Sequence, residues 1–187
     1  MDYNAKLREA KLLIDQGMYN QAVTTLGNVL ENLYIDLYTR IKNGLNRKQE
    51  QQLGQRELDF TANSDRVARE KGFAGLTLGG KTKFFHENRL VEEGERILGR
   101  PLPQFKAFDP RLFRDIRNEV THGREDIVSE DEAELYYRQI RLLLLEVGFI
   151  ERKKQTQEVV AVGGLRSWKE NGVIPHDAIL GGNLKMD

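Results

Sequence analysis

Residues 23–44 read VTTLGNVLENLYIDLYTRIKNG, and the spacing of their apolar members decides the fold class. Val23, Leu26, Leu30, Leu33, Leu37 and Ile41 alternate steps of three and four, which places one apolar stripe along a single long helix ending near Gly44. Upstream, Leu7, Ala10, Leu13 and Ile14 recur at the same spacing until Gly17 interrupts them, so a first helix is predicted over 4–16. Two such helices joined at a glycine form a helical hairpin.

Downstream the helical pattern continues with interruptions. From Leu45 to Lys71 it weakens, with Leu53, Phe60 and Val67 scattered among polar residues, and one exposed helix is expected there. Gly72, Gly75, Gly79 and Gly80 punctuate a turn, after which Phe84, Val91, Gly94 and Leu98 share one face of a fourth helix ended by Gly99-Arg100-Pro101. Asp109-Pro110 is a start signal, because Asp caps free backbone N–H groups and proline suits the first helical position; the helix it opens runs to Gly123. Ser129 and Glu132 form a capping-box pattern ahead of a stripe of Ala133, Tyr137, Ile140, Leu144 and Val147, which Leu142 to Leu145 widen. That helix is expected to be central. The sum is an all-α, antiparallel helical bundle over 1–150.

Past Gly148 the composition changes. Glu151-Arg152-Lys153-Lys154 leads to a glycine-rich C-terminal arm over 151–187 that carries Val159, Val160, Leu165, Trp168, Ile174, Ile179 and Leu180. These are too many apolar groups for a solvated linker, so the arm is expected to dock on the bundle or on a partner.

Composition narrows the function. The chain contains no cysteine, which excludes disulfides, thiolate metal sites and a cysteine nucleophile and suits a reducing compartment. With neither a signal-peptide pattern at Met1-Asp2-Tyr3-Asn4 nor an apolar run of spanning length, a cytoplasmic protein without membrane contact is expected. Lys and Arg total 29 against 29 Asp and Glu, so no net field draws the protein onto nucleic acid, and any RNA contact is local. No HExxH, no ligand-spaced His/Asp/Glu cluster and no Walker loop occurs; neither a metal nor another cofactor is expected.

The segment with chemical content is Arg117-Asn118-Glu119-Val120-Thr121-His122. At 100° per residue Arg114, Asn118 and His122 lie on one stripe, while Leu112, Phe113, Ile116 and Val120 cover the other side. Arg117 and His122 diverge by about 140°, so a frayed helix end, the length of the arginine or a second subunit has to join them. The set suits phosphodiester transfer within RNA. A histidine titrating near neutrality takes the proton from a ribose 2′-hydroxyl or gives one to the leaving 5′-oxygen, and an arginine fork meets the charge that builds on the phosphate. Because the nucleophile belongs to the substrate, no serine or cysteine is needed, and the products carry 2′,3′-cyclic phosphate ends.

An Arg-Asn-x-x-x-His segment at the end of a late helix, following a long N-terminal hairpin, resembles the HEPN (higher eukaryotes and prokaryotes nucleotide-binding) family over roughly residues 1–150. The resemblance implies a bundle that pairs as a homodimer and sets two motifs across a cleft, with metal-independent endoribonuclease activity. It assigns the catalytic roles to Arg117 and His122; Asn118, Arg114 and Thr121 are the substrate-binding candidates. It also implies toxin or defence systems, hence an antitoxin or defence-complex protein as partner. Some toxins of the family carry a modifiable tyrosine two residues after the histidine; here that residue is Arg124.

Simpler readings stand beside these. A helix bearing Arg111, Arg114, Asp115, Arg117 and Glu119 also fits a solvated, salt-bridged face, and a non-catalytic HEPN-like module would bind RNA, a nucleotide or a protein partner through it. His86, beside Phe84 and Phe85, reads as a surface or rim histidine; His176, between Pro175 and Asp177, as part of a turn. Gly79-Gly80 before Lys81 reads as a turn as well.

Overall fold

The computed structural model describes residues 1–109 and 128–151. The motif helix expected over 109–123 and the arm expected over 151–187 lie outside them, apart from Asp109 and Glu151. Among the described residues every regular element is helical and there is no strand, so the fold class is all-α.

Helix α1 (Tyr3–Asp15) begins where the Asp2 carboxylate accepts the Ala5 amide at 2.9 Å, and Gly17 in the left-handed region ends the turn that follows it. Helix α2 (Tyr19–Gly44) buries its expected stripe completely. It also buries Val29, Tyr34 and Tyr38, which widens the apolar face to an arc of about 180°. So broad a face needs neighbours on several sides. Helix α1 and the last described helix, α8 (Glu130–Val147), supply two of them.

Contacts at the helix ends give the directions. The Tyr3 hydroxyl, at the start of α1, donates to Asp36 far along α2, and the Tyr3 ring stacks on Phe149 just past α8 at 5.5 Å. At the other end Lys11 pairs with Glu134 and the Tyr19 hydroxyl donates to Glu130 at 3.3 Å, while Arg40 donates to the Val147 carbonyl at 3.1 Å. Helix α1 is therefore antiparallel to both α2 and α8, and α2 and α8 run parallel. The α8 capping box forms as the sequence indicates, with the Ser129 hydroxyl accepting the Glu132 amide and Glu132 accepting the Ser129 amide.

Between α2 and α8 the chain breaks more often than periodicity predicts. The single exposed helix expected over 45–71 is two helices, α3 (Arg47–Ala62) and α4 (Arg66–Lys71), because Asp65 caps a new start by accepting the Ala68 amide at 2.9 Å. A 3₁₀ turn at Gly72–Gly75 follows. Gly79 and Gly80 are not in the turn; they belong to the first turn of α5 (Leu78–Glu87), where the Thr77 hydroxyl accepts the Gly80 amide at 3.2 Å. The fourth helix also divides, into α5 and α6 (Leu90–Leu98), because Arg89 takes a left-handed conformation at φ 51°. Gly99 ends α6 in the expected way. A short helix, α7 (Pro103–Ala107), has no counterpart in the periodic pattern. On α8 the buried tyrosine is Tyr136, with Tyr137 half-buried, and Leu142 is 43% exposed, so the stripe is rotated and narrower than its leucines suggest.

The carboxylate of Glu57 on α3 joins three of these pieces. It accepts the Tyr38 hydroxyl from α2 and the Phe73 amide from the 3₁₀ turn, both at 2.7 Å, and lies 3.6 Å from the Lys42 ammonium. Burial, reinforced by that carboxylate, pushes the Tyr38 hydroxyl pKa well above its ordinary value. The turn also approaches α4 closely: a Cβ on Gly75 would lie 2.3 Å from the Val67 carbonyl oxygen. Backbone cannot yield there as a side chain can. Gly75→Ala is expected to destabilise the protein by about 1–3 kcal/mol, measured by chemical denaturation, and an unchanged midpoint would contradict this packing.

Candidate functional site

Arg114, Arg117, Asn118, Thr121 and His122 lie outside the described residues, so the structure describes the two ends of the chain that carry them. On the N-terminal side stands α7. Five residues do not hold a helix by their own hydrogen bonds, and α7 is instead fixed by carboxylates from two other helices. Glu146 of α8 accepts the free amides of Gln104 and Phe105, each at 2.8 Å. Glu95 of α6 accepts the Leu102 amide at 2.8 Å and the Lys106 ammonium at 2.7 Å. Anionic acceptors at the start of a helix satisfy its orphan N–H groups and meet its positive end. Phe105 is then buried and Phe108 packs against the core, which delivers the chain to Asp109 from a fixed position. On the C-terminal side the chain re-emerges at buried Val128 and the Ser129–Glu132 capping box.

Beside α7 lies a cleft of about 460 Å³ between α2, α5, α6 and α7. Its apolar wall is mostly aromatic: Tyr34, Phe85, Phe105 and Phe108, with Val91. Tyr34 meets Phe85 edge-on at 5.0 Å and Phe105 at 5.3 Å, and Phe85 and Phe105 stack at 6.2 Å, so the wall is braced from within. Burial pushes the Tyr34 hydroxyl pKa up to about 12, with a hydrogen bond to Thr82 opposing the shift. The hydroxyl therefore stays neutral at physiological pH. His86, Arg89 and Lys106 line the polar side with one carboxylate, Glu92. His86 is exposed, as its sequence position suggests. Arg89 and Glu92 carry no motif that would single them out in sequence, and only the break between α5 and α6 brings them to this wall.

Among the described residues no group of three or more His, Asp or Glu side chains is placed to hold a metal ion. No helix of the described residues is long and apolar enough to cross a membrane. No protein-family profile matches the chain, and comparison with curated proteins and with solved structures gives no match.

The Glu95 carboxyl pKa is held below its ordinary value, first by the Leu102 amide and then by Lys106. A carboxylate depressed in the folded state stabilises the protein above its unfolded pKa of about 4.3, and that stability is lost as the pH falls through the folded value. Glu95→Gln is therefore expected to be less stable than the natural protein at pH 7, with a narrower gap at pH 3. Urea unfolding at the two pH values checks this; an equal gap at both would remove the ionic contribution.

Proposed function

We propose that the protein is a metal-independent endoribonuclease of HEPN type, acting as a homodimer. The observation that carries this reading is the Arg117-Asn118-x-x-x-His122 pattern, in a chain whose described residues are all-α and open on a long helical hairpin. His122 takes the 2′-hydroxyl proton as the 2′-oxygen bonds to phosphorus, and the P–O5′ bond breaks as the leaving oxygen gains a proton. One imidazole serves either role, so that a complete site needs one Arg117 and one His122. Arg117 offers its fork to the phosphate oxygens, and Arg114, Asn118 and Thr121 hold the substrate. The setting proposed for this activity is a cytoplasmic toxin or defence system, with an antitoxin or defence-complex protein as partner.

Purified protein incubated with total RNA in EDTA is expected to yield cyclic phosphate ends. His122→Ala and Arg117→Ala are expected to lower cleavage by at least about 100-fold while remaining folded, and Arg117→Lys to fail largely, since a point charge does not reproduce the planar fork. A wild-type protein that retains RNA without cutting it would replace the enzyme with a binding module.

On the helix that the sequence predicts over 109–123, Arg117 and His122 diverge, which favours a site shared between two chains. A purified mixed dimer, one chain carrying Arg117→Ala and the other His122→Ala, is then expected to recover up to about half the wild-type activity, because one site keeps a complete pair. Activity at the level of the inactive parents, with the mixed dimer intact, would show that each chain supplies its own pair.

A further inference from the structure

We propose that two copies of the chain pair through the outer face of α8, antiparallel, about a two-fold axis level with Tyr136. This deepens the homodimer proposed above by naming its surface, and it rests on that association and not on RNA cleavage, so that either can fail alone.

Apolar exposure is concentrated on this side of the bundle. Among the described residues seven large apolar side chains stand exposed; Leu58 and Val67 are elsewhere, and the other five, Met1, Leu12, Met18, Leu135 and Leu142, lie on or beside α1 and α8. Contacts of Lys11 with Glu134 and of Tyr19 with Glu130 bring the end of α1 and the turn after it to the start of α8. Such a concentration marks an interaction surface, as single scattered leucines do not. On α8 the exposed Asp131, Leu135, Arg138 and Leu142 follow in steps of four, three and four, opposite the buried Ala133, Tyr136, Ile140 and Val147. A stripe at that spacing packs lengthwise on another helix.

The charges say which helix that is. Asp131 stands five residues before Tyr136 and Arg141 five after it; Glu134 stands two before and Arg138 two after. A second copy, reversed about an axis at Tyr136, therefore sets each acid level with a base of the other chain, and the symmetry makes each pair twice. Within one chain Asp131 and Arg141 are about 15 Å apart along the helix, too far to meet. Among the described residues neither forms an ion pair. Glu134 already holds Lys11 and lies 3.7 Å from its own Arg138, so pairing extends an existing network. At 100° per residue Leu135 and Leu142 border the stripe on one side and Glu134 and Arg141 on the other, and the two-fold axis keeps leucines with leucines and charges with charges. The Leu135 side chains of the two copies then meet beside the axis, offset by about 3 Å along it.

Sedimentation equilibrium of the full chain is expected to show a dimer. D131R and R141D each set like charges against one another twice, and each is expected to raise the dimer Kd by at least about tenfold. Because positions 131 and 141 do not meet within a chain, recovery to within about threefold of the natural Kd, in D131R/R141D or in an equal mixture of the two single variants, requires contact between chains. A second variant needs no change of charge. The chain has no cysteine, so Leu135→Cys gives one thiol per copy. A short bis-maleimide is expected to join two such copies at least about ten times faster than two copies of Leu58→Cys, whose thiol sits at an exposed position of α3. A monomeric natural chain, single charge variants that dimerise as the natural chain does, no recovery in either the double variant or the mixture, or equal cross-linking at 135 and 58 would each overturn the proposal.

Discussion

The structure depends on the burial of α2. Eleven of its residues are buried, from Ala22 to Ile41, over half its circumference, and a helix so apolar is stable only when other elements cover it. Each fully buried leucine among them contributes about 1.5–3 kcal/mol through loss of water contact, enough for a few such positions to outweigh any surface ion pair in the protein. Helices α1 and α8 cover one flank, running antiparallel and parallel to it. The aromatic cluster of Tyr34, Tyr38, Phe73, Phe84, Phe85 and Phe105 fills the other, and Tyr34, Phe85 and Phe105 of that cluster form the floor of the cleft.

Covering the second flank takes short pieces, which create a difficulty of their own. Helices of five or six residues leave most of their backbone N–H groups without partners inside the helix. Glutamates from neighbouring helices resolve this. Glu57 takes the Phe73 amide, Glu146 takes two amides at the start of α7, and Glu95 takes the Leu102 amide. These carboxylates look like ordinary surface acids in the sequence, since nothing local marks an acid that accepts an amide between 7 and 42 residues away. Glu95 and Glu146 fix the chain on its way to Asp109, ahead of the residues where the sequence places its one chemically suggestive pattern.

The site residues divide along the same line. Arg117, Asn118 and His122 stand out in sequence because their pattern is local, three types at fixed spacing within six residues. His86 was legible as a rim histidine. Arg89, Glu92 and Lys106 were not legible as members of one cleft, because they meet Tyr34 and Phe105 only after the chain has turned back on itself.

From sequence alone came the all-α class, the extents of α1 and α2, the capping box before α8 and the stop at Gly99, all of which depend on contacts within a few residues. The tertiary structure decided where the middle of the chain breaks, which tyrosine of α8 turns inward, that α2 and α8 run parallel, and that a cleft opens beside α7. Periodicity describes a face and not what covers it. A break such as Arg89 is chosen by the packing of Phe84, Phe85 and Leu90 on α2, a sum over distant contacts that no local window of sequence contains.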